Sequence, residues 1–203
     1  AQGAMSNDSL VSARSIRQPI TGNGDIMTAF DGITYQKGAA VIGMFENYVG
    51  DKTFQKGMHA YIEAHKFGNA NADDLVNAIA TAAGKGDAFK HAFKSFLDQS
   101  GVPYVQTALE QKNGQTVLTL KQSRYLPLGS HGDSQRIWGI PVCVRYGTAD
   151  GSKVACEMLD KATGSVALPG ASSPTWVMPN ANAAGYYRFS LGKDELAALT
   201  KEV

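Results

Sequence analysis

Phe96-Leu97-Asp98-Gln99-Ser100-Gly101-Val102-Pro103-Tyr104 is the stretch where the chain changes its period. Upstream of it, Phe89, Phe93, Phe96 and Leu97 recur at the three-to-four spacing of a helix with one apolar face. Downstream the spacing drops to two. Over residues 116–122, Val117, Thr119 and Lys121 alternate with Leu118, Leu120 and Gln122, the pattern of a half-buried strand. Gly101 and Pro103 stand at the break, and proline ends a helix because it has no amide to donate and clashes with the preceding turn. The two sides therefore read as different classes: helices before, strands after.

Working back from the break, the helix carrying Phe89 is the fourth of a series. A third, opened by Asn71 or Ala72, carries Leu75, Val76, Ile79 and Ala82 and closes at Gly84. A second, capped by Asp51 or Thr53, puts Phe54, Met58, Tyr61 and Ile62 on one face and ends near Lys66. The first starts at Asp31 as N-cap and runs through Ile42, Phe45, Tyr48 and Val49 to Gly50. Residues 5–29 are rich in Ser, Gly and Asn and show no helical period. Ala1 to Ala4 have neither the basic start nor the apolar middle of a signal peptide, and read as a cloning remnant or an arbitrary cut.

Forward of the break, strands are expected at 104–110 and 116–122, joined through Lys112-Asn113-Gly114, where Asn-Gly is a strong hairpin signal. Further strands are expected at 137–146, 153–159, 175–178 and 186–190, which together suggest an antiparallel sandwich. Residues 193–201 turn helical again with Leu196 and Leu199. The fold class is α+β in two domains, an α-helical unit over 1–101 and an antiparallel β-sandwich over 102–191. Residues 192–203 read as the start of a missing helical domain.

Composition narrows the function. With 43% hydrophobic and 18% charged residues, the 203-residue chain has an ordinary globular balance. A net charge of +1 without basic clusters argues against nucleic acid as a partner, and no apolar run is long enough to span a bilayer. Cys143 and Cys156 flank the turn at 148–152 on consecutive strands, so they either form a disulfide or remain two buried thiols. A bridge would point to a periplasmic or otherwise exported protein, the favoured compartment; reduced thiols would suit the cytoplasm equally.

Sites of chemistry are few. His59 and His65 lie six apart and do not share a helix face, and His91 and His131 are isolated. No H-E-x-x-H, C-x-x-C or G-x-S-x-G occurs. Asp73 and Asp74 begin a helix, where their charge suits the dipole. Tyr35 is left, in Phe30-Asp31-Gly32-Ile33-Thr34-Tyr35-Gln36-Lys37-Gly38-Ala39. A phenol at a helix start can donate to an oxyanion, or it can simply pack and bond a backbone carbonyl.

That segment resembles the F-D-x-I-x-Y-x-K-G-A motif of the aminopeptidase N family of zinc metallopeptidases, which includes the leukotriene hydrolases. Gly50-Asp51 through Phe54, Gly57 and Tyr61, then Phe67, Asn69-Ala70 and Asp73-Asp74-Leu75, are similar to its next helices. Phe96 to Pro103 resembles its W-x-x-Q-x-G-x-P segment, with Phe or Leu replacing the tryptophan. Leu120-Lys121-Gln122-Ser123-Arg124-Tyr125, Trp138-Gly139-Ile140-Pro141, Trp176, Asn180 and Gly185-Tyr186-Tyr187-Arg188 resemble its β segments. The blocks keep order and spacing over nearly the whole chain.

The resemblance implies that residues 1–101 are the helical C-terminal part of a thermolysin-like (gluzincin) catalytic domain, followed by the family's β-sandwich domain. It implies that Tyr35 stabilises the tetrahedral oxyanion across the substrate from zinc. Phe30 would line the pocket for the substrate's N-terminal residue. The zinc ligands and general base would lie upstream of residue 1, so the chain would hold no metal itself and be inactive alone, with zinc and a peptide substrate belonging to the full-length parent. The alternatives are a non-catalytic helical plus β-sandwich module that binds or scaffolds, and a free-standing degenerate homologue.

Overall fold

The computed structural model describes residues 2–202. Its helical part comprises α1 (Gln2–Asp8), α2 (Asn23–Thr28), a π-helical turn (Ile33–Lys37) running into α3 (Gly38–Val49), α4 (Asp51–His65), α5 (Ala72–Ala82) and α6 (Asp87–Asp98). The β part comprises β1 (Pro103–Lys112), β2 (Gln115–Arg124), β3 (Ile140–Thr148), β4 (Gly151–Leu159), β5 (Thr163–Ala167), β6 (Val177–Met178) and β7 (Arg188–Ser190), followed by α7 (Lys193–Leu199).

Three features correct the expectations for the helical part. Most of the segment read as a remnant, together with the start of the stretch read as non-helical, forms α1, whose Ala4 and Met5 enter the main core; Ala1 lies outside the described residues. Two small apolar contacts over two turns are too few to establish a period. Helix α2 buries nothing. The Asp25 carboxylate closes its first turn by accepting from the Thr21 amide at 2.8 Å and the Gly22 amide at 3.0 Å. A helix held by local polar bonds leaves no apolar stripe to read. The third correction is the π-helical turn itself, where a regular helix from Asp31 was expected.

Asn71 caps α5 by accepting from the amides of Asp73 and Asp74 at 2.8 and 3.1 Å, and Asp74 bonds back to the Asn71 amide. Asp73 instead pairs with Arg17 and Lys94. Neither Asp51 nor Thr53 caps α4; Gly50 does, with φ at 86°. Helices α4 and α5 touch through Gly57, where a Cβ would come within 2.9 Å of the Ile79 Cα. The aromatic run on α6 is core, as read. Phe93 stacks on Phe45 at 4.4 Å between ring centroids, with Phe89 and Phe96 edge-on to the same ring.

The strands form two sheets, β5-β2-β1-β7 and β4-β3-β6. The β1–β2 hairpin turns through Asn113 and Gly114, both at positive φ, as its Asn-Gly pair foretells. Strand β5 was not expected, because Val166 is its only buried side chain and gives no alternation to detect. Strand β7 pairs parallel to β1, Tyr104 opposite Arg188, which corrects the all-antiparallel expectation. Alternation carries no information about strand direction; the long return from β6 brings the chain to the free edge of β1 in the same sense. Cys143 stands opposite Cys156 in the β3–β4 register, and the two are joined by a disulfide.

Helices and sheets share one contiguous core, containing Phe45 and Phe96 together with Leu118, Ile140, Tyr146 and Tyr186. Polar side chains sew its seam. The Gln122 amide donates to Trp138 O at 2.8 Å and accepts from the Trp138 amide at 3.0 Å, while Gln99 donates to Ile137 O at 2.9 Å. Gly101, at φ 103°, lets the chain pass Arg124, whose Nε would lie 2.7 Å from any Cβ there. Gln99 and Gly101, which carried the family resemblance, thus join the helices to the sheets, while Gln122 ties β2 to the entry of β3.

Candidate functional site: the Tyr35 turn

The π-helical turn has anchors at both ends and Tyr35 at its middle. At the N-terminal end, Asp31 Oδ1 accepts from the amides of Ile33 and Thr34 at 2.9 and 3.0 Å, so Asp31 does the capping that its position predicts. Arg14 then grips the same carboxylate with two nitrogens, Nε to Oδ2 at 3.1 Å and Nη2 to Oδ1 at 2.6 Å, and also donates to Thr34 Oγ1 at 2.9 Å. Partial burial alone would raise the Asp31 pKa. The Thr34 amide, the Arg14 guanidinium and the Ile33 amide outweigh it and hold the carboxyl below its ordinary range.

At the C-terminal end, Lys37 is wholly buried. Its ammonium lies 2.9 Å from Asp8 Oδ2 and donates to Gln99 O at 2.9 Å. Burial pushes its pKa below the usual lysine value, and the Asp8 carboxylate restores only part of the difference. Neither Arg14 nor Asp8 stands out in the sequence. A lone charge in a Ser- and Gly-rich stretch looks the same whether it faces water or crosses the core.

Between the anchors Tyr35 is exposed at 59%, and among the described residues its hydroxyl has no hydrogen-bond partner. Phe30 is equally exposed, with its ring centroid 6.2 Å from that of Tyr35 at a tilt of 39°. Ile26 and Met27 on α2 are also exposed. This arrangement can offer a neutral O–H donor beside an apolar wall. It is an open surface, and neither ring borders the cleft of about 890 Å³ which Met5, Arg145, Trp176, Asn180 and Tyr187 help to line.

The histidines do not join it. His59, His91 and His131 are exposed, and His65 lies against Tyr61 on α4. Among the described residues no group of three or more His, Cys, Asp or Glu is placed to hold a metal ion. The donors present do not fit a zinc site, and no chemical step through zinc can be derived from them.

The helical scaffold and this turn are those of a metallopeptidase segment: the family model described as Peptidase family M1 domain matches residues 1–99. The chain belongs to the M1 peptidase family, whose members are in general zinc-dependent. It is similar to Aminopeptidase M1 of Arabidopsis thaliana, 33% identical over 94% of this chain and 22% of the relative. It is also similar to Probable M1 family aminopeptidase 1 of Encephalitozoon cuniculi, 39% identical over 70% of this chain and 16% of the relative. Puromycin-sensitive aminopeptidase of Caenorhabditis elegans is 25% identical over 98% of this chain and 21% of the relative. The chain therefore spans only a small part of the length of the curated relatives it matches.

Proposed function

We propose that this chain is part of a zinc-dependent aminopeptidase that removes N-terminal residues from peptides, and that it supplies the donor which stabilises the oxyanion. The observation that carries this reading is Tyr35 itself: an exposed phenol, its hydroxyl without a hydrogen-bond partner among the described residues, on a turn anchored at both ends. As the scissile carbonyl gains negative charge, a fixed neutral donor binds it more tightly than it bound the ground state, and that difference lowers the barrier. Phe30, tilted against Tyr35, offers an apolar wall for the side chain of the substrate's N-terminal residue. The zinc of the family would polarise the carbonyl and activate water, but on residues other than those described here.

Replacing Tyr35 by Phe in the whole enzyme is expected to lower kcat by about 10²–10³-fold with little change in KM, the signature of an interaction made mainly in the transition state. Wild-type kcat would favour the non-catalytic module instead. The chain alone is expected to hydrolyse no aminoacyl anilide and to retain no stoichiometric zinc; one tightly held zinc per chain, by metal analysis after dialysis, would refute this. The two sheets are read as a β-sandwich domain over 102–191, following the helical part over 1–101. The disulfide supports an exported, periplasmic or surface location.

A further inference from the structure

Lysine is almost never fully buried unless it is paired, and Lys37 is buried two residues beyond Tyr35. Its partner Asp8 is equally buried, and both of its oxygens are engaged: Oδ1 accepts from the Gly101 amide at 2.9 Å and Oδ2 from the Tyr186 hydroxyl at 3.1 Å. The Lys37 ammonium, besides Asp8 and Gln99 O, lies 5.8 Å from the centre of the Tyr186 ring. One buried ion pair thus ties the Tyr35 turn to α1, to the end of α6, to the entry of β1 and to the segment leading into β7.

Such a pair is a poor source of stability, because removing both charges from water costs about as much as their attraction returns. What it provides is direction. A π-helical turn winds somewhat more loosely than the about 100° per residue of an α-helix, so residues two apart still point to nearly opposite sides, Lys37 inward and Tyr35 outward. Fixing the inward side chain at two acceptors, Asp8 Oδ2 and Gln99 O, therefore fixes the angle at which the outward one leaves the turn. An apolar side chain at 37 would bury just as well and leave that angle free.

We propose that Lys37, held by Asp8, is a positioning residue for Tyr35: the buried pair sets the angle at which the phenol is presented to substrate. This rests on the reading of Tyr35 as the oxyanion donor. Misplacing a reacting group by about 1 Å can cost about 10²-fold in rate. In the zinc-loaded whole enzyme, Asp8→Asn combined with Lys37→Met removes both charges and leaves neither orphaned in the core. With a chromogenic aminoacyl anilide this pair of changes is expected to lower kcat about 10–10²-fold while KM stays within about twofold. In a Tyr35→Phe background the same changes are expected to alter kcat by less than about twofold, since the donor they position is gone.

An equal fold-loss in both backgrounds, or none in either, overturns the proposal. Tyr35→Phe with unchanged kcat removes the oxyanion reading itself. Tyr35→Phe slow but the Asp8/Lys37 variant fully active removes only the positioning role. If the Asp8/Lys37 variant does not melt cooperatively, Tyr186→Phe replaces it: deleting one bond to Asp8 is expected to cost a few-fold in kcat, and nothing further in the Tyr35→Phe background.

Discussion

Two ion pairs brace the same turn, and they are built in opposite ways. Arg14–Asp31 is partly exposed, with side chains 24% and 44% accessible. Asp8–Lys37 is fully buried, and its bonds extend to Gln99, Gly101 and Tyr186. The exposed pair caps a turn that its own backbone already favours. The buried pair decides where that turn sits against the rest of the protein. The bonds of Asp31 to the Ile33 and Thr34 amides form the turn locally; the buried pair ties it across the core.

The comparison breaks most sharply at Lys37. Lys37→Ala leaves Asp8 as an uncompensated buried charge and is expected to cost about 3–5 kcal/mol by denaturant titration, the usual result of removing one partner of a buried pair. A loss under about 1 kcal/mol would mean that water reaches the site. Arg14→Ala should cost far less, about 1 kcal/mol or a Tm decrease of about 2–4 °C, because screening and side-chain entropy offset much of an exposed pair. Equal costs for the two substitutions would erase the distinction drawn between the pairs.

The smallest effects lie at the two ends of the pH scale, one for each brace. The Asp31 pKa is lowered from 3.8 in the folded chain, so the unfolded chain binds the proton first as pH falls. The stability that Asp31 contributes is present above 3.8 and is lost below it. Tyr186, tied to the buried pair, goes the other way. Burial, then the Asp8 carboxylate, raises its pKa above the ordinary 10.0. The unfolded chain releases that proton first, so stability falls as pH rises above 10. Melts across this range should show the wild type losing stability more steeply than Tyr186→Phe above pH 10. Below pH 4, Asp31→Asn should blunt the acid loss. Parallel curves at either end would mean that the corresponding group does not sense folding.

Much of this architecture was legible before any coordinates. The break at Gly101 and Pro103 separates α6 from β1, and the Asn113-Gly114 hairpin, the Phe45–Phe93 core and the Asn71 cap are all local or periodic signals. What escaped shares a physical cause. Helix α1 contributes two small apolar contacts, α2 none, and β5 one, so none has a periodicity to detect. The parallel direction of β7 and the π-helical form of the turn at Tyr35 depend on what the chain packs against, not on its composition.

At the site the division is the same. By itself the sequence determined that a tyrosine stands on a capped turn behind Asp31, because capping is a matter of neighbours along the chain. It also carried the family, through blocks in which Gln99 and Gly101 join the end of α6 to the β part and Gln122 and Trp138 tie β2 to the entry of β3. Only the tertiary structure decided that Asp8, 29 residues before Lys37, lies against it in the core, and that Gln99 and Tyr186 complete the node. A buried charge is stable only where distant partners converge on it, and that convergence is a property of the folded chain alone.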